Sequence, residues 1–226
     1  MTLIDSFLFR SVELREFFNQ AWNNKQERDV LAKNLTATIA EFNRMGNWVV
    51  STILTTTDLN TRTQVLSRFI TIADECFKLN NFCGCFEIIG SLGNSAVHRL
   101  SKTWEGLRKQ DFSTKEKLQT LMSGNFTPMK KKLLAVEPPV VPYVGPYLTE
   151  LTFLDEQPDF VDHQKKMINV NKLKIMGGIL RRIHEYQRVG YKIQPVPIIQ
   201  KFFLQFSPLD DKMAIEQSRK LEPKIV

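Results

Sequence analysis

The chain has 226 residues and a mass of 26.2 kDa, with 42% hydrophobic and 24% charged residues, a net charge of +7 and a pI near 9.3. Such a balance fits one large or two small globular domains and excludes a disordered or fibrous chain. No run approaches the ~18 consecutive apolar residues of a membrane span, and the opening residues lack the basic and apolar parts of a secretory signal, so a cytoplasmic location is expected.

Helical periodicity runs through most of the sequence. Leu14, Phe17, Phe18 and Ala21 share a stripe that predicts an amphipathic helix over 12–22, and Leu31, Leu35, Ile39 and Phe42 predict a second. Thr61 with Gln64 forms a capping-box pattern, behind which Val65, Leu66, Phe69, Ile72, Ala73, Cys76 and Phe77 trace one face. Asn80-Asn81 ends that helix, because asparagine tolerates the left-handed cap conformation, and 82–92 resumes as a shorter, mostly apolar helix buried on most sides. Ser113 with Glu116 marks the next start, Leu118, Leu121 and Met122 its face, and Gly124-Asn125 its end.

The run Glu137-Pro138-Pro139-Val140-Val141-Pro142 has to be extended, since each proline lacks an amide donor and pushes its predecessor out of helical geometry. Gly145-Pro146 then supplies a turn and a proline suited to a first helical turn, from which Tyr147, Leu148, Leu151 and Leu154 predict a short helix. After a loop at 156–159, a long helix starts near Met167, with Val170, Leu173, Met176, Leu180 and Ile183 on one face and Lys172, Lys174, Arg181 and Arg182 on others. The implied unit is a two-helix arm. Gly177-Gly178 inside it requires either a close packing partner or a bend. Pro195, Pro197 and Pro208 divide the remainder into short pieces, one at 198–206, before a tail helix at 213–221. With no alternating strand run, internal repeat or low-complexity segment, the expected class is all-α.

Cys76, Cys83 and Cys85 cannot all pair, and Cys83-Gly84-Cys85 lacks the two-residue spacer of a zinc or redox knuckle. His98, His163 and His184 lie far from it in sequence, so neither a disulfide nor a metal site is expected. Basic clusters at Lys130-Lys131-Lys132, Lys165-Lys166 and Arg181-Arg182 carry no nucleic-acid-binding signature, so nucleic acid is not an expected partner, whereas an anionic membrane surface is an open one. Phosphate-loop, dinucleotide-binding, zincin and nucleophile-elbow motifs are all absent, and no cofactor is expected. Pattern alone stops at a helical domain that binds something.

Several segments, in order, resemble the catalytic domain of guanine-nucleotide exchange factors for Ras-family GTPases (the RasGEF domain), as in son of sevenless. They are Thr2-Leu3-Ile4-Asp5, Phe42-Asn43 with Trp48-Val49, Leu79-Asn80-Asn81-Phe82 with Gly84 and Glu87, and Asn94 to Leu100 followed by Lys102-Thr103-Trp104. The most specific is Pro138 to Gly145 running into Tyr147-Leu148-Thr149-Glu150-Leu151-Thr152-Phe153, and Leu221-Glu222-Pro223-Lys224 resembles the family's end. The resemblance covers essentially the whole chain. It implies a single domain over 1–226 with a protruding helical hairpin at about 145–187.

In that family the hairpin wedges at the switch region of a small GTPase and promotes GDP release without covalent chemistry. The resemblance places Glu156 at the hairpin acid that engages the phosphate-binding loop of the GTPase, Thr152 near its magnesium site, and Thr149 one turn earlier on the same face. Ile39, Phe86, Phe126 and Tyr143 fall where the family lines an apolar pocket for an aromatic of the second switch. Gly93 stands where relatives commonly have a switch-contacting asparagine, with Asn94 one residue later, and the hairpin tip is shorter than usual and lacks its glycine. The implied partner is a Ras, Rap or Ral type GTPase, met at the inner face of the plasma membrane. Competing readings are an exchange-inactive scaffold and a basic module for lipid or nucleic acid.

Overall fold

Helices fill most of the computed structural model, which describes residues 1–162, 164 and 166–223. His163, Lys165 and Lys224, named above, lie outside the described residues. First come α1 (Thr2–Ser11), two 3₁₀ turns (Leu14–Phe17 and Ala21–Asn23), α2 (Arg28–Leu31) and the long α3 (Lys33–Thr55). Next follow α4 (Leu59–Lys78), α5 (Phe82–Leu92), α6 (Ser95–His98), α7 (Ser101–Glu105), α8 (Lys109–Thr120) and α9 (Ser123–Leu133). An extended stretch leads to α10 (Gly145–Asp155), a ribbon of β1 (Phe160–Asp162) and β2 (Met167–Ile168), then α11 (Val170–Gln187), α12 (Pro197–Gln205) and α13 (Asp211–Leu221). The all-α class holds; the short antiparallel ribbon is a correction to the expectation of no strands.

α3, α4 and α5 form the centre. Every residue from Phe82 to Ile89 is buried, against Val49, Ile53 and Leu54 of α3 and Leu66, Ile70 and Ala73 of α4. The three cysteines are free and buried there, and burial pushes the Cys76 thiol up to about 12. No metal-holding cluster occurs among the described residues.

Several predicted boundaries move, each for a local reason. The helix over 12–22 is two 3₁₀ turns, because Asn19 and Gln20 take left-handed φ of 54° and 49° and because Glu16 is recruited elsewhere. Its buried carboxylate accepts from the Leu35 amide and the Asn34 side chain, both at 2.8 Å, and so caps α3. α4 begins before Thr61: Asp58 is the cap, accepting from the Thr61 amide at 2.8 Å and hydroxyl at 2.7 Å. Ser113 lies inside α8, whose first turn is held by Asp111 between Arg108 and Ser67, each 2.8 Å away. Asn80 does end α4 with φ 59°, and Asn81 caps α5. α11 begins at Val170, behind the Asn169 cap, and Met167 belongs to the ribbon. It runs unbroken through Gly177 and Gly178, where an added Cβ would meet nothing within 4 Å.

The tail wraps back over α3. Arg44 donates to the Phe203 carbonyl at 2.6 Å, Trp48 meets the Phe203 ring edge-on at 4.9 Å, and the Leu209 amide donates to Ser51 Oγ at 2.8 Å. Beyond α13, the Glu222 carboxylate enters a buried socket beside Arg62 and Thr103.

Candidate functional site

The extended proline stretch is stapled to the start of α5. The Val141 amide donates to the Asn80 carbonyl at 3.1 Å, and the Phe82 and Cys83 amides donate to the Val141 carbonyl at 2.9 and 3.2 Å. Between them sits Asn81, fully buried. Its Oδ1 accepts from the Gly84 amide at 3.0 Å, while Nδ2 donates to Asp5 Oδ2 at 2.7 Å and Thr2 Oγ1 at 3.0 Å. The Asn81 side chain therefore joins α1 to α5, and the backbone on either side of it holds the connector that launches α10.

Asp5 bears the cost of that junction: burial pushes its pKa up to about 6, although the Asn81 bond and the N-terminal charge oppose the rise. Burial also raises Glu87 well above the usual carboxylate range, with the Asp5 charge adding to it, and Glu87 Oε2 has no partner among the described residues. Because Asp5 binds its proton more tightly folded than unfolded, its ionisation removes stability as pH rises from about 4 to 6, by roughly 2–3 kcal/mol. Asp5→Asn keeps an acceptor for Asn81 and carries no charge. It should therefore exceed wild type in urea midpoint at pH 7.5 and match it near pH 4; an equal gap at both values would refute the assignment.

The connector delivers Tyr143 into an aromatic cluster. Its ring stacks on Phe42 at 5.0 Å and meets Phe126 at 5.2 Å and Phe86 at 5.8 Å. Phe126 reaches the cluster from a left-handed backbone, φ 59°, a conformation costly for a bulky residue and opposed here by the packing of its half-buried ring on Phe86 and Tyr143. A Cβ on Gly145 would fall 2.6 Å from the Tyr143 ring, so only glycine lets that ring lie across the start of α10. In front opens a cavity of about 270 Å³ lined by Trp22, Ile39, Phe42, Cys83, Tyr143 and Leu148. Of the four predicted pocket residues, Ile39 and Tyr143 line it, whereas Phe86 is fully buried and, with Phe126, backs the tyrosine.

From this cavity α10 runs outward, ~16 Å of helix from Gly145 to Glu156. Its inner stripe, Tyr147, Leu151 and Leu154, enters the main core with Met176, Ile179, Leu180, Ile183 and Tyr186 of α11. The opposite stripe falls at i, i+3, i+4 and i+7 and carries Thr149, Thr152, Phe153 and Glu156. The threonine hydroxyls bond back to their own helix, Thr149 to the Gly145 carbonyl at 3.1 Å and Thr152 to the Leu148 carbonyl at 3.0 Å, which leaves methyl groups to face outward. Glu156 is exposed, and among the described residues its carboxylate has no partner. Phe153, 62% exposed, was not among the predicted site residues; its place between Thr149 and Glu156 at helical spacing is the signal that marks it.

The hairpin is fixed at both ends. At the tip, Lys172 is buried and donates to Asp159 Oδ1 at 2.7 Å and the Gln157 carbonyl at 2.8 Å, while Asn169 donates to the Pro158 carbonyl at 3.1 Å. At the base, Gln187 donates to the Phe9 and Val12 carbonyls at 2.8 Å, Tyr186 donates to the Leu133 carbonyl at 2.9 Å, and Lys130 pairs with Glu150. Gly93 and Asn94 stand apart, at the far end of α5, ~10 Å of helix beyond Phe86. Asn94 is occupied in capping α6, accepting from the Ala96 amide at 2.9 Å, and Gly93 is exposed in an ordinary right-handed conformation.

The family model described as the RasGEF domain matches residues 1–174. This chain belongs to the RasGEF domain family. Across its whole length it is 34% identical to Ras-specific guanine nucleotide-releasing factor 1 of Rattus norvegicus and to Ras-specific guanine nucleotide-releasing factor 2 of Danio rerio, and in each case the aligned part is 18% of the relative. Over 92% of the chain it is 37% identical to Ras guanine nucleotide exchange factor K of Dictyostelium discoideum, matching 13% of that protein. The chain thus spans less than a fifth of the length of these relatives. Within this RasGEF domain, the matched residues take in the Asn81 junction, the cavity, all of α10 and the tip of the hairpin, while most of α11 and all of α12 and α13 lie beyond them.

Proposed function

We propose that this RasGEF domain is a guanine-nucleotide exchange factor that binds a Ras, Rap or Ral type GTPase and promotes GDP release by setting α10 against the switch region. The observation that carries this is the single outward stripe of Thr149, Thr152 and Glu156, with Phe153, rising from the root of an apolar cavity. In this reading Glu156 takes up donors of the GTPase's phosphate-binding loop that phosphate would otherwise hold, and the Thr152 methyl crowds the magnesium site. Ile39 and Tyr143 receive an apolar side chain of the second switch, with Phe86 and Phe126 as their support. Gly93 and Asn94 form an outlying contact.

The chemistry is non-covalent. A factor that binds the nucleotide-free GTPase more tightly than the loaded one must, by linkage, weaken nucleotide binding equally. Thousandfold faster release needs ~4 kcal/mol of barrier lowering. Residues 1–226 are proposed to work as one domain with the hairpin at about 145–187, because the tail bonds into α3, α6 and α7. Its place of action is the cytoplasmic side of a membrane carrying a lipid-anchored GTPase; among the described residues no helix is long and apolar enough to cross one.

The test is release of a fluorescent guanine nucleotide from a panel of Ras, Rap and Ral proteins, with and without the chain at micromolar concentration. Acceleration on at least one member is expected. Flat traces from a folded sample would overturn the exchange reading and favour a scaffold.

A further inference from the structure

A strongly net-basic segment covers the second helix of the hairpin and its flanks. From Lys166 to Val189 there are six lysines and arginines and a single acid, Glu185. Lys172 is consumed at the hairpin tip, but Lys174, Arg181, Arg182 and Arg188 are exposed, and among the described residues none has an acidic partner. Lys174, Arg181 and Arg188 are seven residues apart, so they stack along the outer face of α11 with ~10 Å between neighbours. That face points away from the stripe of α11 that enters the core.

Beside it lies a shallow cavity of about 710 Å³ between α9 and α11, whose lining includes Leu134, Glu137, Arg182, Glu185, Arg188 and Val189. Leu134 is 65% exposed and Val189 43%, so bare aliphatic groups stand among the cations, and exposed Lys131 adds another on α9. Cations alone suit any polyanion. Cations interleaved with exposed aliphatic side chains suit a bilayer, whose anionic headgroups and acyl boundary lie a few ångströms apart.

We propose that the outer face of α11, with Lys131 and Leu134 of the neighbouring α9 segment, docks on a bilayer rich in anionic lipid. It is a surface distinct from the α10 stripe and needs no GTPase. The glycines at 177 and 178 keep the middle of that face free of side chains between Lys174 and Arg181.

The whole chain is tested by sedimentation with vesicles of phosphatidylcholine containing 0 or 30 mol% phosphatidylserine, with no GTPase present, so that the outcome is independent of exchange activity. Each well-placed cation multiplies partition by roughly fivefold. Wild type should therefore favour the anionic vesicles by at least tenfold, and Arg181→Glu with Arg188→Glu should abolish that preference. The matched reversal of Arg68→Glu with Lys201→Glu, on α4 and α12, should leave it within about twofold. Leu134→Ser with Val189→Ser should weaken vesicle binding severalfold yet leave retention on heparin unchanged. If reversal disturbs the melt, Arg181→Gln with Arg188→Gln replaces it. No preference for phosphatidylserine, equal losses in the two reversed pairs, or vesicle binding indifferent to Leu134 and Val189 would each overturn the proposal, the last in favour of a soluble polyanion.

Discussion

Glu156→Lys should slow nucleotide release from the responding GTPase by at least about thirtyfold while moving the thermal midpoint by no more than about 2 °C. The carboxylate is exposed and unpartnered among the described residues, so its loss opens no cavity and orphans no donor. It lies at the C-terminal end of α10, where a lysine is favourable to the helix dipole. Any loss of exchange therefore reports on the partner. Replacing attraction by repulsion at a desolvated interfacial charge costs about 2–5 kcal/mol, from about thirtyfold upward in rate. Stopped-flow release and a circular-dichroism melt on the same sample decide it. A wild-type rate, or a melt several degrees early, would show that Glu156 is not the hairpin acid.

Glu222→Ala should lower the midpoint by about 10 °C. The carboxylate accepts from the Thr103 hydroxyl at 2.7 Å and from the Lys102 and Thr103 amides at 3.0 and 3.1 Å, and it stands 3.5 Å from Arg62, a guanidinium only 2% exposed. Burial alone would raise its pKa, but these donors and the Arg62 charge together hold it below the usual glutamate range. Without it, two amides of the first turn of α7 lose their acceptor. Arg62 keeps the Thr56 and Thr57 carbonyls and the Thr103 hydroxyl, but loses the carboxylate buried beside it. Breaking such a buried pair costs about 3–5 kcal/mol, and a domain of this size loses about 2–4 °C per kcal/mol. A lowered carboxylate pKa means stability that is present above about pH 4.5 and lost as pH falls, so the gap between mutant and wild type should narrow in acid. A gap of unchanged size at pH 3 would point to packing alone.

What could be read in the sequence follows the range of the interaction. α5 was legible because a run of apolar residues with small Gly84 and Cys85 can only be interior, and Asn80 and Asn81 announced the break before it. Sequence does not separate the cap at Asp58 from Thr61, because both residue types cap and only the backbone trace decides which stands outside the helix. Glu16 and Val141 were illegible for a different reason. Glu16 serves an amide 19 residues later in the chain, and Val141 acts through its backbone, which every residue possesses.

The site divides in the same way. Glu156, Thr149 and Thr152 came from family resemblance, and plain helical spacing then puts them on one face. Phe153 lies outside both signals, because the resemblance assigns it no role and the apolar periodicity of this helix marks the buried stripe of Tyr147, Leu151 and Leu154. The start and end motifs, Thr2 to Asp5 and Leu221 to Glu222, carried family identity without a stated role. The structure gives each a partner, Asn81 for one and the Arg62 socket for the other.

The buckle formed by Lys172, Asp159 and the Gln157 carbonyl has a kinetic consequence. A wedge whose tip orders only on contact must find its shape during encounter, and the entropy of that search slows association or is subtracted from affinity. Here the tip is tied before any partner arrives, so engagement should be a single second-order step whose rate scales with concentration and shows no folding lag. Cutting the tie at Lys172 would leave the stripe on α10 in place while making its delivery the slow event.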